Sequence, residues 1–335
     1  MVTLKASIGI AYAMTSPSHL PSLDTLAVVL ERPETLRLAR LPLSAPTEDD
    51  VVVEMDWTGI SSGTERLLWA GRMPPFPGLG YPLVPGYEAV GRVVHAGARV
   101  ALAVGQPVFV PGARCFGEVR GLFGGAAARV VVPAARVVPI DARLGEQGVL
   151  LALAATACHA LGPSDSPAPD LIVGHGVLGR LLARLAALRP GSKPVVWERN
   201  AQRRSGAMGY HVIDPSEDPR RDYRAIYDVS GDGALLDELI GRLAPGGEIV
   251  LAGFYSEPLS FKFPPAFMRE ARIRVAAEWR EPDLATAKSL VESGASSLDG
   301  LITHRHGAGD APAAYRTAFT DVACLKMILD WRAAA

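Results

Sequence analysis

The chain has 335 residues, 49% of them hydrophobic and 21% charged, with a formal net charge of −1. That length and apolar content suit two ordinary cores and exclude a disordered chain, while the near-neutral balance excludes a basic field for nucleic acid or a polybasic surface for anionic lipid. Cys115, Cys158 and Cys324 lie far apart with no C-x-x-C pair, so neither a disulfide framework nor a zinc knuckle is indicated and the reducing cytoplasm fits.

Residues 1–24 read as an N-terminal extension. Lys5, the apolar run 8–14 and Ala11-Tyr12-Ala13 loosely imitate a signal peptide, but the run lacks a long leucine-rich centre. No apolar stretch is long and uncharged enough to span a bilayer. Across 25–140, short β-branched runs at 26–30, 51–55, 89–94, 107–110 and 129–132, punctuated by Gly and Pro, predict a small barrel. From about 145 the grammar changes. A helix is expected over 149–161, followed by alternating strands and helices, which makes a βαβ pattern with a parallel sheet.

The apolar strand Leu171-Ile172-Val173 runs into Gly174-His175-Gly176-Val177-Leu178-Gly179, a G-x-G-x-x-G turn that opens a helix. This reads as a dinucleotide site: the first glycine permits the tight turn, the second lets backbone approach a pyrophosphate, and the third lets helix pack on strand. A second strand, Pro194-Val195-Val196-Trp197, ends in Glu198, 24 residues past Gly174. An acid there suits the ribose hydroxyls of NAD and repels a 2′-phosphate, although Arg199, Arg203 and Arg204 nearby leave NADP open. The helix over 177–188 sets Leu178, Leu181, Leu182 and Leu185 on one side, and Arg180 and Arg184 are expected to stay solvated on the other. Beyond it come a strand near 211–213, a strand over 225–229 ending at Ser230-Gly231, a helix over 234–243 stopped by Pro245-Gly246-Gly247, and strands at 248–253 and 272–277.

This order of elements resembles the medium-chain dehydrogenase/reductase superfamily, with Gly86-Tyr87-Glu88-Ala89-Val90-Gly91 at its G-H-E-x-x-G site and Leu301-Ile302-Thr303-His304-Arg305 in its C-terminal return. The resemblance implies an α/β fold made of a GroES-like β-barrel domain and a Rossmann doubly wound parallel-sheet domain: 25–148 catalytic, 149–282 NAD-binding and 283–335 returning to the catalytic domain. Within the superfamily the chain is similar to the 3-hydroxyethyl bacteriochlorophyllide a dehydrogenases. That similarity rests on Ser61 through Gly71-Arg72-Met73-Pro74-Pro75-Phe76-Pro77 to Pro85-Gly86-Tyr87-Glu88, on Val173 to Arg180, and on Pro264-Pro265-Ala266-Phe267-Met268-Arg269-Glu270. It implies NAD-dependent oxidation of the C3 1-hydroxyethyl group of a magnesium chlorin or bacteriochlorin to C3 acetyl, a step of bacteriochlorophyll synthesis. Read from the residues alone, the chain is a nicotinamide-dependent oxidoreductase of unknown substrate.

The chain departs from the zinc alcohol dehydrogenases at all three catalytic ligands. Gly59-Ile60-Ser61-Ser62-Gly63-Thr64-Glu65 offers serine for cysteine, Gly86-Tyr87-Glu88 offers tyrosine for histidine, and the position four before Thr156 is Ala152. Such a set does not hold zinc, and the four-cysteine structural lobe is reduced to Cys115, so no metal is expected at either site.

Proton removal then falls to the protein. Tyr87 reads either as an acid/base at the substrate hydroxyl or as a ring filling the vacated space. Glu88 reads as an organiser of the site or a proton shuttle, His175 as a cofactor contact or a catalytic base, and Ser62 or Thr64 as a route to solvent or plain turn residues. His304 and His306 read as structural or cofactor-adjacent, and Cys158-His159 as no catalytic pair, since helix neighbours point apart. The resemblance carries Thr156 to the nicotinamide, Gly174, His175, Gly176, Val177, Leu178 and Gly179 to the pyrophosphate, and Glu198 with Arg199 to the adenosine ribose. Ser230, Gly231, Gly253 and Phe254 fall at the strand ends lining the cleft. An apolar floor for the pigment is expected from Trp57, the loop from Trp69 to Tyr87, Phe254 and Phe267. A zinc-independent quinone or enone reductase and a non-catalytic pigment carrier are the rival readings. A homodimer and peripheral membrane contact stay open.

Overall fold

The computed structural model describes residues 23–75, 77–163 and 166–334. The expected extension over 1–24 lies outside them except for Leu23 and Asp24, and Asp24 already opens the first strand, Asp24–Arg32.

Every strand expected before residue 140 forms. The centre of the barrel is the 11-residue strand Asp50–Ile60, whose run of valines and Trp57 suits a pleated, doubly covered position. It pairs antiparallel with Ala89–Ala96 along one edge, while its other edge is shared by Arg129–Pro133 and Lys326–Asp330. Bulges between Val52 and Val53 and between Met55 and Trp57 bend it enough to serve all three. Pro107–Val110, Val138–Pro139 and Ile302–Gly307 extend this sheet, and Thr35–Pro42, Asp24–Arg32, Leu83–Val84 and Arg120–Gly121 make the smaller one. The C-terminal strand therefore closes the N-terminal barrel. Trp331 locks it by donating its indole N–H to Thr58 Oγ1 at 2.9 Å inside the core.

The third sheet is six-stranded and parallel, in the spatial order His211–Ile213, Val195–Trp197, Leu171–Val173, Tyr223–Asp228, Leu243–Leu251 and Arg272–Val275. Chain order reverses between Leu171–Val173 and Tyr223–Asp228. That reversal opens the crevice in which doubly wound sheets bind ligands.

Four local expectations change. Arg180 and Arg184, on helix Val177–Ala187, are buried instead of solvated. Arg180 donates to the carbonyls of His175 (3.1 Å) and Arg203 (2.9 Å), and Arg184 to those of Ser297 (2.9 Å) and Asp299 (3.0 Å). The helix expected over 234–243 splits into a 3-10 turn, Gly233–Leu235, and helix Leu236–Arg242, while Pro245-Gly246-Gly247 lies inside strand Leu243–Leu251. The segment Ala142–Leu161 is long and apolar enough to cross a membrane by composition. Gly145 breaks its helical geometry, however, and its regular helix, Leu151–Leu161, is an 11-residue core element, too short to span.

Candidate active site

A cleft of about 1700 Å³ separates barrel from parallel sheet and is lined by both. Its sheet side is the glycine loop. Gly174 has φ +104°, and a Cβ on Gly179 would overlap the Gly174 carbonyl oxygen, so the close approach of helix Val177–Ala187 to its strand requires glycine. Nothing lies within 4 Å of where a Gly176 Cβ would stand. The loop is thus a backbone cradle at a helix N-terminus, open where a phosphate group fits.

Glu198 is held beside the cradle, accepting the His175 N–H at 3.2 Å and the Asn200 N–H at 2.8 Å. Of the three arginines near it, two are committed elsewhere. Arg203 donates to the carbonyls of Val322 (2.6 Å) and Cys324 (3.4 Å), and Arg204 to those of Glu198 (2.8 Å) and Arg199 (3.0 Å) as well as to Asp214. Arg199 lines a smaller cavity of about 150 Å³ with Val173, Glu198, Pro215, Ser230 and Leu235.

Thr156, Val177, Leu178, Ser230, Gly253 and Phe254 all line the large cleft. Gly231 does not, and sits behind the Phe254 carbonyl. His175 reaches the cleft through its backbone, not as a base: its ring is buried, with Nδ1–H donating to the Arg203 carbonyl at 2.6 Å and Nε2 accepting from Tyr210 Oη at 2.9 Å. Burial, with the neighbouring Arg180 and Arg184 charges, pushes its pKa down to about 4. His304 pairs with Asp321 at 3.4 Å, and His159 with Asp283 at 2.9 Å instead of with Cys158.

The barrel side carries Ser61, Ser62, Thr64 and Tyr87. Tyr87 Oη donates to Ser61 Oγ at 2.9 Å, so the two positions that would have to supply zinc donors are bonded to one another. Ala152, the third, is an apolar side chain buried in helix Leu151–Leu161. A hydroxyl, a phenol held protonated and a methyl group do not fit zinc, and no cluster of three or more His, Cys, Asp or Glu among the described residues is placed to hold a metal ion. Burial first, then the Glu88 charge, raises the Tyr87 pKa well above that of an ordinary phenol.

Glu88 lies behind this wall. It is fully buried and accepts from Lys326 Nζ at 2.6 and 2.8 Å, a placement that argues for an organiser over a shuttle. Lys326 donates its third hydrogen to the Ile60 carbonyl at 3.2 Å. Sequence reasoning passed over Glu65, Tyr315 and Lys326. The S-x-x-E spacing of Ser62 and Glu65 is the one local signal for any of them. The apolar floor is met in part. Met73, Pro77 and Tyr87 of the expected loop and Phe254 line the cleft, joined by Phe123 and Trp279, whereas Trp57 stacks under Arg332, Trp69 packs on Phe319 and Phe267 is solvent-exposed.

The alcohol dehydrogenase GroES-like domain family matches residues 47–142. The 2-desacetyl-2-hydroxyethyl bacteriochlorophyllide A dehydrogenase of Rhodobacter capsulatus is 57% identical over 311 residues, 92% of this chain and 99% of that protein. Its counterpart in Cereibacter sphaeroides is 58% identical over 316 residues, 93% and 99% of the two chains. The chain belongs to the 2-desacetyl-2-hydroxyethyl bacteriochlorophyllide A dehydrogenase family. The fold of this bacteriochlorophyllide dehydrogenase family is that of the medium-chain dehydrogenases. A zinc-binding dehydrogenase from Sinorhizobium meliloti solved with NADP superposes with a TM-score of 0.76 at 23% identity, covering 92% of this chain and 99% of that one. An Escherichia coli alcohol dehydrogenase solved with NADH superposes at 0.78 and 22%, with the same coverage. The chain is an alcohol oxidoreductase of this fold.

Proposed function

We propose that this chain oxidises the 1-hydroxyethyl substituent of a bacteriochlorophyllide or chlorophyllide to acetyl, in the cytoplasm, with NAD as hydride acceptor and without zinc. The observation that carries the reading is one cleft of about 1700 Å³ with the glycine cradle on one wall and the Ser61–Tyr87 pair on the other. A single small ligand occupies roughly 300–1,000 Å³, so the cleft has room for a dinucleotide and a macrocycle together. Phe123, Phe254 and Trp279 offer the macrocycle an apolar surface.

The cradle and the N-terminus of helix Val177–Ala187 would hold the pyrophosphate and Glu198 the ribose hydroxyls, with Thr156 on the side of the nicotinamide. Glu198 disfavours a 2′-phosphate, and the commitment of Arg203 and Arg204 to backbone carbonyls leaves Arg199 alone to attract one. A bound nicotinamide would supply the acceptor for the hydride of the carbinol carbon. Tyr87 spends its O–H on Ser61, which leaves its oxygen lone pairs to accept the carbinol O–H. As that proton moves onto Tyr87, the tyrosine proton moves to Ser61 and Ser61 releases its own hydroxyl proton to solvent in the cleft it lines, so both side chains end neutral. Positive charge developing at the carbinol carbon spreads into the conjugated ring, which lowers the need for a Lewis acid.

The test is an absorbance and product-mass assay on chelator-treated protein with a 3-(1-hydroxyethyl) bacteriochlorophyllide and NAD or NADP. Loss of two hydrogens with a red shift, faster with NAD, is expected. Tyr87→Phe is expected to lower kcat by ~10²-fold or more. Pigment binding without turnover would replace the reading with a carrier, quinone or enone turnover without pigment oxidation would replace it with a reductase, and one zinc per untagged chain by elemental analysis would end the zinc-free part.

A further inference from the structure

We infer that Glu65, a buried side chain outside the cleft wall, is a positioning residue for the proton-handling pair Tyr87 and Ser61; the inference rests on the dehydrogenase reading above. Glu65 lies in the first turn of helix Thr64–Trp69 and is 1% exposed. It exchanges two hydrogen bonds with Ser61: the Ser61 N–H donates to Oε1 at 3.1 Å, and the Glu65 N–H donates to the Ser61 carbonyl at 3.1 Å. The hydroxyl of this same Ser61 accepts from Tyr87. From helix Ala311–Thr320, Tyr315 Oη donates to Oε2 at 2.8 Å. The carboxylate therefore fixes the backbone of the residue that receives the tyrosine proton, and is itself fixed from the far end of the chain.

Its surroundings also make it responsive. Glu88 repels its charge, Lys326 attracts it, and Tyr87 and Tyr315 are the other titratable groups around it. Burial raises its pKa to about 7, against the opposing hydrogen bonds from Tyr315 and Ser61. Glu65 thus changes charge across the neutral range, one residue removed from Tyr87, whose pKa its negative form raises. An ionised Glu65 draws the carbinol proton inward and favours oxidation; a neutral one favours carbonyl reduction.

The test is the pH profile of pigment oxidation. In the natural protein kcat is expected to rise through an inflection near 7. Glu65→Gln is expected to remove that inflection and lower kcat on its alkaline side ~10-fold, with KM for the pigment unchanged. Tyr315→Phe removes a hydrogen bond to the charged form and is expected to move the inflection to higher pH. Infrared difference spectra across the same range read the carboxyl without turnover: a protonated-acid carbonyl band that appears on acidification is expected to vanish in Glu65→Gln. An inflection that persists in folded Glu65→Gln, or that Tyr315→Phe leaves in place, overturns the inference; should Glu65→Gln not fold, Tyr315→Phe decides. Failure of the natural protein to oxidise pigment with either nicotinamide overturns the dehydrogenase reading first, and is recognised by the absence of any profile.

Discussion

His175 stands in the middle of the glycine loop, yet its imidazole is turned into the protein, where Arg203 and Tyr210 take both ring nitrogens. The ring is kept neutral, with its pKa pushed down from 6.5 to about 4, chiefly by burial. Between those two values the unfolded chain binds a proton that the folded chain does not, so stability falls as pH drops through this window and levels off below it. The loss amounts to at most roughly 3 kcal/mol. Melting temperature measured against pH is expected to decline over this window more steeply in the natural protein than in His175→Gln, and parallel slopes would show that the buried imidazole does not carry the effect. A histidine next to phosphate-binding glycines invites a functional reading from sequence. What decides against it is the ring's orientation, set by a carbonyl 28 residues away and a tyrosine 35 residues away. Ser61 and Tyr87 were legible as departures from a zinc site, but their bond to each other was not, because it joins two strand ends that only folding brings together.

At the scale of elements, the strand Lys326–Asp330 does more than close the barrel. Its first residue carries an ammonium group into a pocket formed by the Ile60 carbonyl and Glu88, with both partners almost fully buried. Gly59 makes the room: a Cβ there would overlap Glu88 Oε2. Removing one member of such a pair strands the other charge. Lys326→Met is therefore expected to cost about 3–5 kcal/mol in denaturant unfolding, and Glu88→Gln added to it is expected to recover most of that loss. If the single and double variants unfold alike, the pair is not what holds the strand. The two residues lie 238 apart in sequence, which is why Glu88 read as an organiser or a proton shuttle with no visible partner. Helix Val177–Ala187 teaches the same lesson. Its period of leucines correctly marks the face on the sheet, but period alone does not say that residues 203–206 and 297–299 will cover the opposite face and bury Arg180 and Arg184. Element type and order followed local chemistry, namely β-branched runs, the glycine turn and the acid ending the second strand. Contacts that set charge states came from elements far apart in the chain.

For the whole molecule, the conspicuous surface is the last edge of the parallel sheet. Strand Arg272–Val275 pairs only with Leu243–Leu251, so its other edge is open among the described residues. Val275 is 74% exposed, and the preceding helix Phe263–Met268 shows Phe263, Phe267 and Met268 at 66%, 65% and 76%. An open strand edge flanked by large apolar side chains is a template for pairing with another chain. The edge can continue across a two-fold axis onto the same strand of a second copy, which satisfies its backbone groups and covers the apolar residues in one step. Light scattering after gel filtration is expected to give twice the chain mass. Val275→Lys combined with Phe267→Asp is expected to return it to the single-chain value. Val275 also borders the cleft, so the same double substitution is expected to raise KM for the pigment, as a second copy would complete the wall there. A natural protein that runs at the single-chain mass but sediments with anionic vesicles would instead assign these aromatic side chains to a membrane surface, the other way of burying an apolar edge beside a cleft for an apolar substrate.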